Sequence, residues 1–183
     1  MNTFIRNYVK GCSQCQQFKI NRNPSHPPLQ PIAPPTSTRP FAQIAMDLLT
    51  DLPKSHGFDS ILSIVDHGLT KGVILTPCTK EITSKGITDI ILDKVYTRFG
   101  LPDKIISDRD PRFRANSIQA LMKRLGVTQS FSSAYHPQSD GTTERFNQEI
   151  STYLSIYCTG NPSSWSENLP ILEFAHNSRT HSD

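Results

Sequence analysis

No stretch of this 183-residue chain approaches the roughly 20 consecutive apolar residues that a membrane helix needs, so no membrane crossing is expected. Its start also lacks the basic, apolar and small-residue succession of a secretory signal, which makes an intracellular, non-secreted protein the expectation. Cysteine is scarce. Cys12, Cys15, Cys78 and Cys158 are too few for a disulfide framework in a chain of this size without an export signal. Only the two-residue gap between Cys12 and Cys15 has chemical meaning; Cys78 and Cys158 read as core thiols, and the single Trp165 as a packing residue. There is no internal repeat. Acid is missing altogether from residues 1 to 40, which carry Arg6, Lys10, Lys19, Arg22 and Arg39 for a charge of +5, whereas the remainder is close to neutral at −2. A basic arm ahead of a nearly neutral body hints at a polyanionic partner.

Proline, by contrast, is abundant, and seven of the 14 fall between Pro24 and Pro40. Such a stretch can neither continue a helix nor pair within a sheet, so it reads as a linker between a short N-terminal piece and a body that begins near Phe41. In the body, Phe41 to Leu49, Ser60 to Asp66 and Gly72 to Pro77 are short apolar runs whose connections leave no room for helices, which predicts three antiparallel strands. Ile87, Ile90, Ile91, Val95 and Phe99 then recur at helical spacing until Gly100 and Pro102 stop the segment. Lys104 to Ser107 predicts a fourth strand, Ile118 to Leu125 a second helix closed by Gly126, and Val127 to Phe131 a fifth strand. A polar stretch leads to a helix through Phe146, Ile150, Leu154 and Tyr157, and a last helix starts around Trp165. The order predicts an α/β protein with a mixed five-stranded sheet flanked by helices.

Three acids stand out by position. Asp47 lies inside the first strand, where an acid is expensive to bury unless it binds something. Asp108 ends the fourth strand, and Glu144 opens a helix whose spacing groups Asn147, Gln148 and Ser151 on one polar face, free to meet DNA. Cleaving a phosphodiester needs an activated oxygen and a sink for negative charge, work that two hard cations held by three carboxylates can do. Each acid alone also has an ordinary structural explanation as a paired strand residue, a turn former or an N-terminal helix acid. Spacing by itself does not choose between these.

The strings around the acids are more specific. Met46-Asp47-Leu48, Leu52-Pro53-Lys54-Ser55, Val65-Asp66 and Leu69-Thr70-Lys71 are followed by the run from Ile106 to Phe113 and by that from Ala134 to Arg145, with 35 residues between Asp108 and Glu144. From about Tyr8 onward the chain resembles the integrases of Ty3/gypsy-class long-terminal-repeat retrotransposons. That resemblance implies an RNase H-like fold with Asp47, Asp108 and Glu144 as catalytic metal ligands for Mg²⁺ or Mn²⁺ in a two-metal site. It implies 3′-end processing of element DNA and strand transfer into host DNA. Tyr135 to Thr143 corresponds to the family's active-site loop, with Gly141 as its hinge and Tyr135, His136 and Gln138 near DNA; Asn147 and Gln148 complete the expected DNA contacts. Implied partners are element-end and target DNA, with RNA a further candidate, in a homo-oligomer of the full-length protein located in the nucleus.

Gly11-Cys12-Ser13-Gln14-Cys15-Gln16 resembles the second half of the family's His-His-Cys-Cys zinc module. Structural zinc needs four ligands and residues 1 to 11 hold no histidine, so Zn²⁺ is expected only if the upstream pair were present. The expected organisation is thus a zinc-module remnant at 1–23, a Pro-rich linker at 24–40 and a catalytic core at 41–183 cut short at its C-terminal end. The alternatives weighed are an RNase H-like nuclease and a non-catalytic nucleic-acid-binding or scaffold protein derived from a retroelement.

Overall fold

The structure, a computed structural model, describes residues 2–11, 39–131, 141–158 and 160–179, with the side chains of residues 2, 9, 141–145 and 157 excepted. The chain forms two compact units, residues 1–32 and 33–183. In the first, helix α1 (Asn2–Gly11) has no acid in its first turn and Lys10 in its last. Cys12 and Cys15 lie outside the described residues. Among those residues no helix is long and apolar enough to cross a membrane.

The second unit is built on five strands: β1 (Gln43–Leu49), β2 (Ser60–Asp66), β3 (Val73–Cys78), β4 (Lys104–Ser107) and β5 (Thr128–Phe131). Their order in the sheet is β3-β2-β1-β4-β5. The first three pair antiparallel, as their short connections require, while β4 lies parallel to β1 and β5 parallel to β4 through helical crossovers. The sheet is therefore mixed and five-stranded, as the order of apolar runs predicts. The first strand starts two residues later than its apolar run because Phe41 bends the chain at a φ of 55°, and its buried ring stacks on Phe99 at 4.2 Å.

Between β3 and β4 the helix α2 starts as Ser84–Ile90, widens to a π-helical stretch at Ile91–Tyr96 and ends with Thr97–Phe99. Thr83 caps it by accepting the Gly86 N–H. Its buried residues Ile87, Ile91 and Val95 repeat every four positions, which overshoots an ordinary helical turn by about 40°. The wider π turn holds them on one line, which periodicity alone does not announce. Gly100, at φ 83°, then turns the chain toward β4, and Gly126, at φ 74°, does the same after α3 (Asn116–Arg124).

Alternation along the strands sends Ile44, Met46, Leu62, Ile64, Ile74 and Ile105 to the face covered by α2 and α3. Ile61, Val65, Val73 and Leu75 face the opposite side, under Phe146 and Ile150 of α4 (Gly141–Tyr157) and Trp165, Leu169 and Leu172 of α5 (Trp165–Asn177). Trp165 is buried and donates its indole N–H to the Pro53 carbonyl at 2.6 Å, so it is a packing residue that also anchors the β1–β2 connection. Every residue of β2, the middle antiparallel strand, is buried.

Candidate active site

The parallel ladder between β1 and β4 pairs Ala45 with Ile106 and Met46 with Ser107. The residues that follow this last pair are Asp47 and Asp108. Both acids are thus delivered to the same end of neighbouring strands, whose backbones run about 5 Å apart. Only the tertiary pairing does this, since the two positions are separated by α2 and the whole of β2 and β3.

Asp47 is half-buried on the α4 side of the sheet. Its Oδ1 accepts the N–H of Leu48 at 2.8 Å, its Oδ2 accepts the side-chain amide of Asn147, and its carbonyl accepts the Ser63 hydroxyl at 3.2 Å. Asp108 is exposed just beyond β4, where its Oδ1 accepts the N–H of Asp110 at 3.0 Å. Glu144 lies in α4, one turn ahead of Asn147; its side chain is outside the described atoms. Among the described residues no group of three or more acidic, histidine or cysteine side chains forms a metal cluster.

The helix carrying Glu144 begins at Gly141, three residues earlier than its expected start, so Gly141 to Thr143 are helical rather than loop. No breaker follows Gly141, and an acid in the first turn suits the positive end of a helix. Tyr135, His136 and Gln138 lie outside the described residues. Gln148 is exposed, while Asn147 is half-buried and turned to Asp47 instead of solvent. The carbonyl oxygen of the same Asn147 amide is buried and has no hydrogen-bond partner among the described residues. Nothing in the helical period separates these two residues, since both lie on the polar face.

Beside Asp108 stands a clamp that spacing did not reveal. Arg112 donates Nε to Asp110 Oδ1 at 2.8 Å and Nη2 to Oδ2, and reaches the Lys80 carbonyl with Nη1 at 2.8 Å. That bidentate bond holds the Asp110 carboxyl below its ordinary pKa and raises Arg112, to which Asp108 adds a smaller attraction. With Phe113 buried in the core, the clamp fixes the chain on leaving β4. The short Asp-x-Arg interval was the available signal. Further along the rim, the Lys80 ammonium lies 2.5 Å from Asp51 and lowers its pKa, mainly by hydrogen bonding.

Carboxylates on two neighbouring strands, one inside β1 and one just past β4, with a third acid on the backbone of an adjacent helix and the Asn147 amide oxygen, make a set of hard oxygen donors. Mg²⁺ and Mn²⁺ take such donors, and each Asp47 oxygen, engaged once, retains a second acceptor site. The residues present fit a divalent cation.

A mixed five-stranded sheet of this order flanked by helices is the RNase H-like fold of integrase cores, here with Asp47 inside the first strand and Asp108 just past the fourth. Among solved structures, the catalytic core domain of BIV integrase has the same fold at TM-score 0.60 and 23% identity, covering 78% of this chain and 88% of that one. A chain of the simian T-cell lymphotropic virus intasome in complex with PP2A regulatory subunit B56 gamma superposes at TM-score 0.69 and 22% identity, covering 100% of this chain and 63% of its own. The HTLV-2 integrase catalytic core, solved in complex with magnesium, does so at 0.54 and 20%, covering 74% and 84%. Residues 37–137 match the integrase core domain family, and the chain belongs to it. It is 35% identical over 178 residues to the transposon Tf2-3 and Tf2-4 polyproteins of Schizosaccharomyces pombe, an overlap covering 97% of this chain but only 13% of each polyprotein. The chain thus spans a small part of the length of these relatives.

Proposed function

We propose that this chain is the catalytic core of a retrotransposon integrase, which trims the 3′ ends of element DNA and joins them to host DNA. The observation that carries the reading is the alignment of Asp47 and Asp108, the residues that follow the last pair of the β1–β4 ladder, with α4 bonded to Asp47 through Asn147. Membership of the integrase core family and the resemblance to Tf2 polyproteins support it. Asp47, Asp108 and Glu144 would hold Mg²⁺ or Mn²⁺, and magnesium in the HTLV-2 core supports that choice. Bound there, paired cations would supply charge to activate the attacking oxygen and to offset charge on the leaving one.

The chain's own residues have distinct tasks in this scheme. Asn147 orients Asp47, because its amide N–H fixes one carboxylate oxygen from a helix that packs on the sheet. Gln148, exposed one residue on, is available to a phosphate oxygen. Tyr135, His136, Gln138 and Gly141 precede it and are assigned to the backbone of the DNA end, which such contacts position without reading sequence. Element ends and target DNA are the substrates, and the host chromosome makes the nucleus the site of action. A homo-oligomer is assigned to the longer protein, and Cys12 with Cys15 to one half of a zinc module.

The test is a branched DNA that mimics the integration product, incubated with the purified chain and Mg²⁺ or Mn²⁺. Metal-dependent resealing that disappears in Glu144→Gln is the expected result. Hydrolysis without resealing would replace the proposal with a nuclease, and DNA binding without either reaction would replace it with a scaffold protein.

A further inference from the structure

The two edges of the sheet are finished differently. On β3, the side chain of Asn177 accepts the Val73 N–H at 2.7 Å and donates to the Val73 carbonyl at 2.9 Å, while Glu173 accepts the Leu75 N–H at 2.9 Å. Two side chains of α5 thus occupy the outward backbone groups of that edge, a means of keeping other strands away. On β5 the Thr128 N–H points inward, to the Asp103 carbonyl at 2.9 Å. The alternation of a parallel ladder therefore turns the N–H and C=O of Gln129 outward, where no described side chain meets them.

Along this open edge, α3 and β5 enclose a groove of about 620 Å³ whose lining includes Asn116, Gln119, Lys123, Gln129 and Phe131. Gln129 donates its side-chain amide to the Phe113 carbonyl at 3.0 Å, which fixes the orientation of the group. Its other end, Oε1, is buried and has no partner among the described residues. The outward backbone groups of Gln129, beside this groove, are a template for a further strand. Of the residues that line the groove Lys123 alone is charged, and none is acidic.

We propose that the β5 edge is a docking site for an extended, acidic peptide segment of a partner protein, which pairs with β5 as a sixth strand. Strand addition uses the outward N–H and C=O of Gln129, and alternate side chains of the added strand enter the groove under α3. There an Asp or Glu meets Lys123. The exposed backbone selects a polypeptide over DNA, whose phosphates have no use for the strand's carbonyl. Lys123 in the lining then selects an acidic one. This site lies on the α3 side of the sheet, opposite the face on which α4 reaches Asp47.

The probe is a short blocked peptide of alternating valine and glutamate, titrated into the ¹⁵N-labelled chain and followed by NMR. The expected result is movement and slowed exchange of the Gln129 and Phe131 amides, with binding about tenfold weaker in Lys123→Glu and restored there by the lysine version of the peptide. N-methylating alternate peptide nitrogens should abolish binding without altering the protein. Binding indifferent to N-methylation would overturn the proposal, as would unmoved β5 amides. Duplex DNA moving those amides where the peptide does not, or pairing of β5 with a second copy of the chain in the absence of peptide, would also overturn it.

Discussion

Asp66 on β2 and Asp47 on β1 are aspartates of neighbouring strands, and the fold treats them in opposite ways. Asp66 is fully buried, and its carboxylate accepts the N–H groups of Gly68, Leu69 and Thr70 and the Thr70 hydroxyl, all within four residues. A carboxylate has about four acceptor positions, so Asp66 is saturated by its own turn. Asp47 is half-buried and receives one N–H from Leu48 and one from Asn147, 100 residues away. Burial alone would rank Asp66 as the more unusual acid. Saturation reverses the ranking: a filled carboxylate holds a loop together, and one with spare lone pairs, tied to a distant helix, is available for chemistry.

The largest effect should come from Asp47→Asn. Resealing of branched DNA is expected to fall roughly thousandfold while the urea midpoint stays close to the parent's, because the side chain keeps its shape and a flipped Asn147 amide can offer its oxygen to the new NH2 group. An active variant would end the distinction. Asp66→Ala is the converse: it leaves the turn donors unmet at the end of β2, and unfolding in urea should show a loss of about 3 kcal/mol. Unchanged stability there would mean that saturation carries no structural weight. Asn147→Ala should act through Asp47, raising the Mg²⁺ concentration needed for half-maximal resealing about tenfold with little change in thermal midpoint. A change in thermal midpoint with no change in metal requirement would make Asn147 a packing residue only.

The smallest effect concerns Cys78 at the end of β3, whose thiol burial pushes up to about 11. A raised pKa means less thiolate at every pH below it, so at pH 8 alkylation by iodoacetamide should run roughly a hundredfold slower than for an open thiol. Intact-mass kinetics would read this directly, and rapid labelling would show that β3 opens readily on the face that α2 and α3 cover.

The apolar runs and their punctuation made the elements legible: three close strands, a helix ended by Gly100, a strand reaching Ser107, and a helix closed by Gly126. The candidate acids were visible too, as charges in positions where a strand or helix would otherwise be apolar. Less visible was everything that depends on two segments at once. That Asp47 and Asp108 are neighbours follows from β4 inserting beside β1, and no local period encodes a parallel pairing. Asn147 and Gln148 share a helix face, yet only the packing of α4 on the sheet turns one inward and leaves the other outside. The π stretch of α2 and the early start of α4 at Gly141 likewise reflect packing and end effects that a spacing argument averages over.

By itself, then, the order of residues determined the alternation of strands and helices, the family to which the core belongs and the three acids worth watching. Those features rest on local periodicity and on short strings, which are properties of one segment at a time. The tertiary structure alone decided which acid is saturated and which retains free lone pairs, which sheet edge is closed and which is open, and which amide reaches Asp47. Each of these is a hydrogen-bond account between groups far apart in the chain, and it closes only when the sheet and its helices have come together.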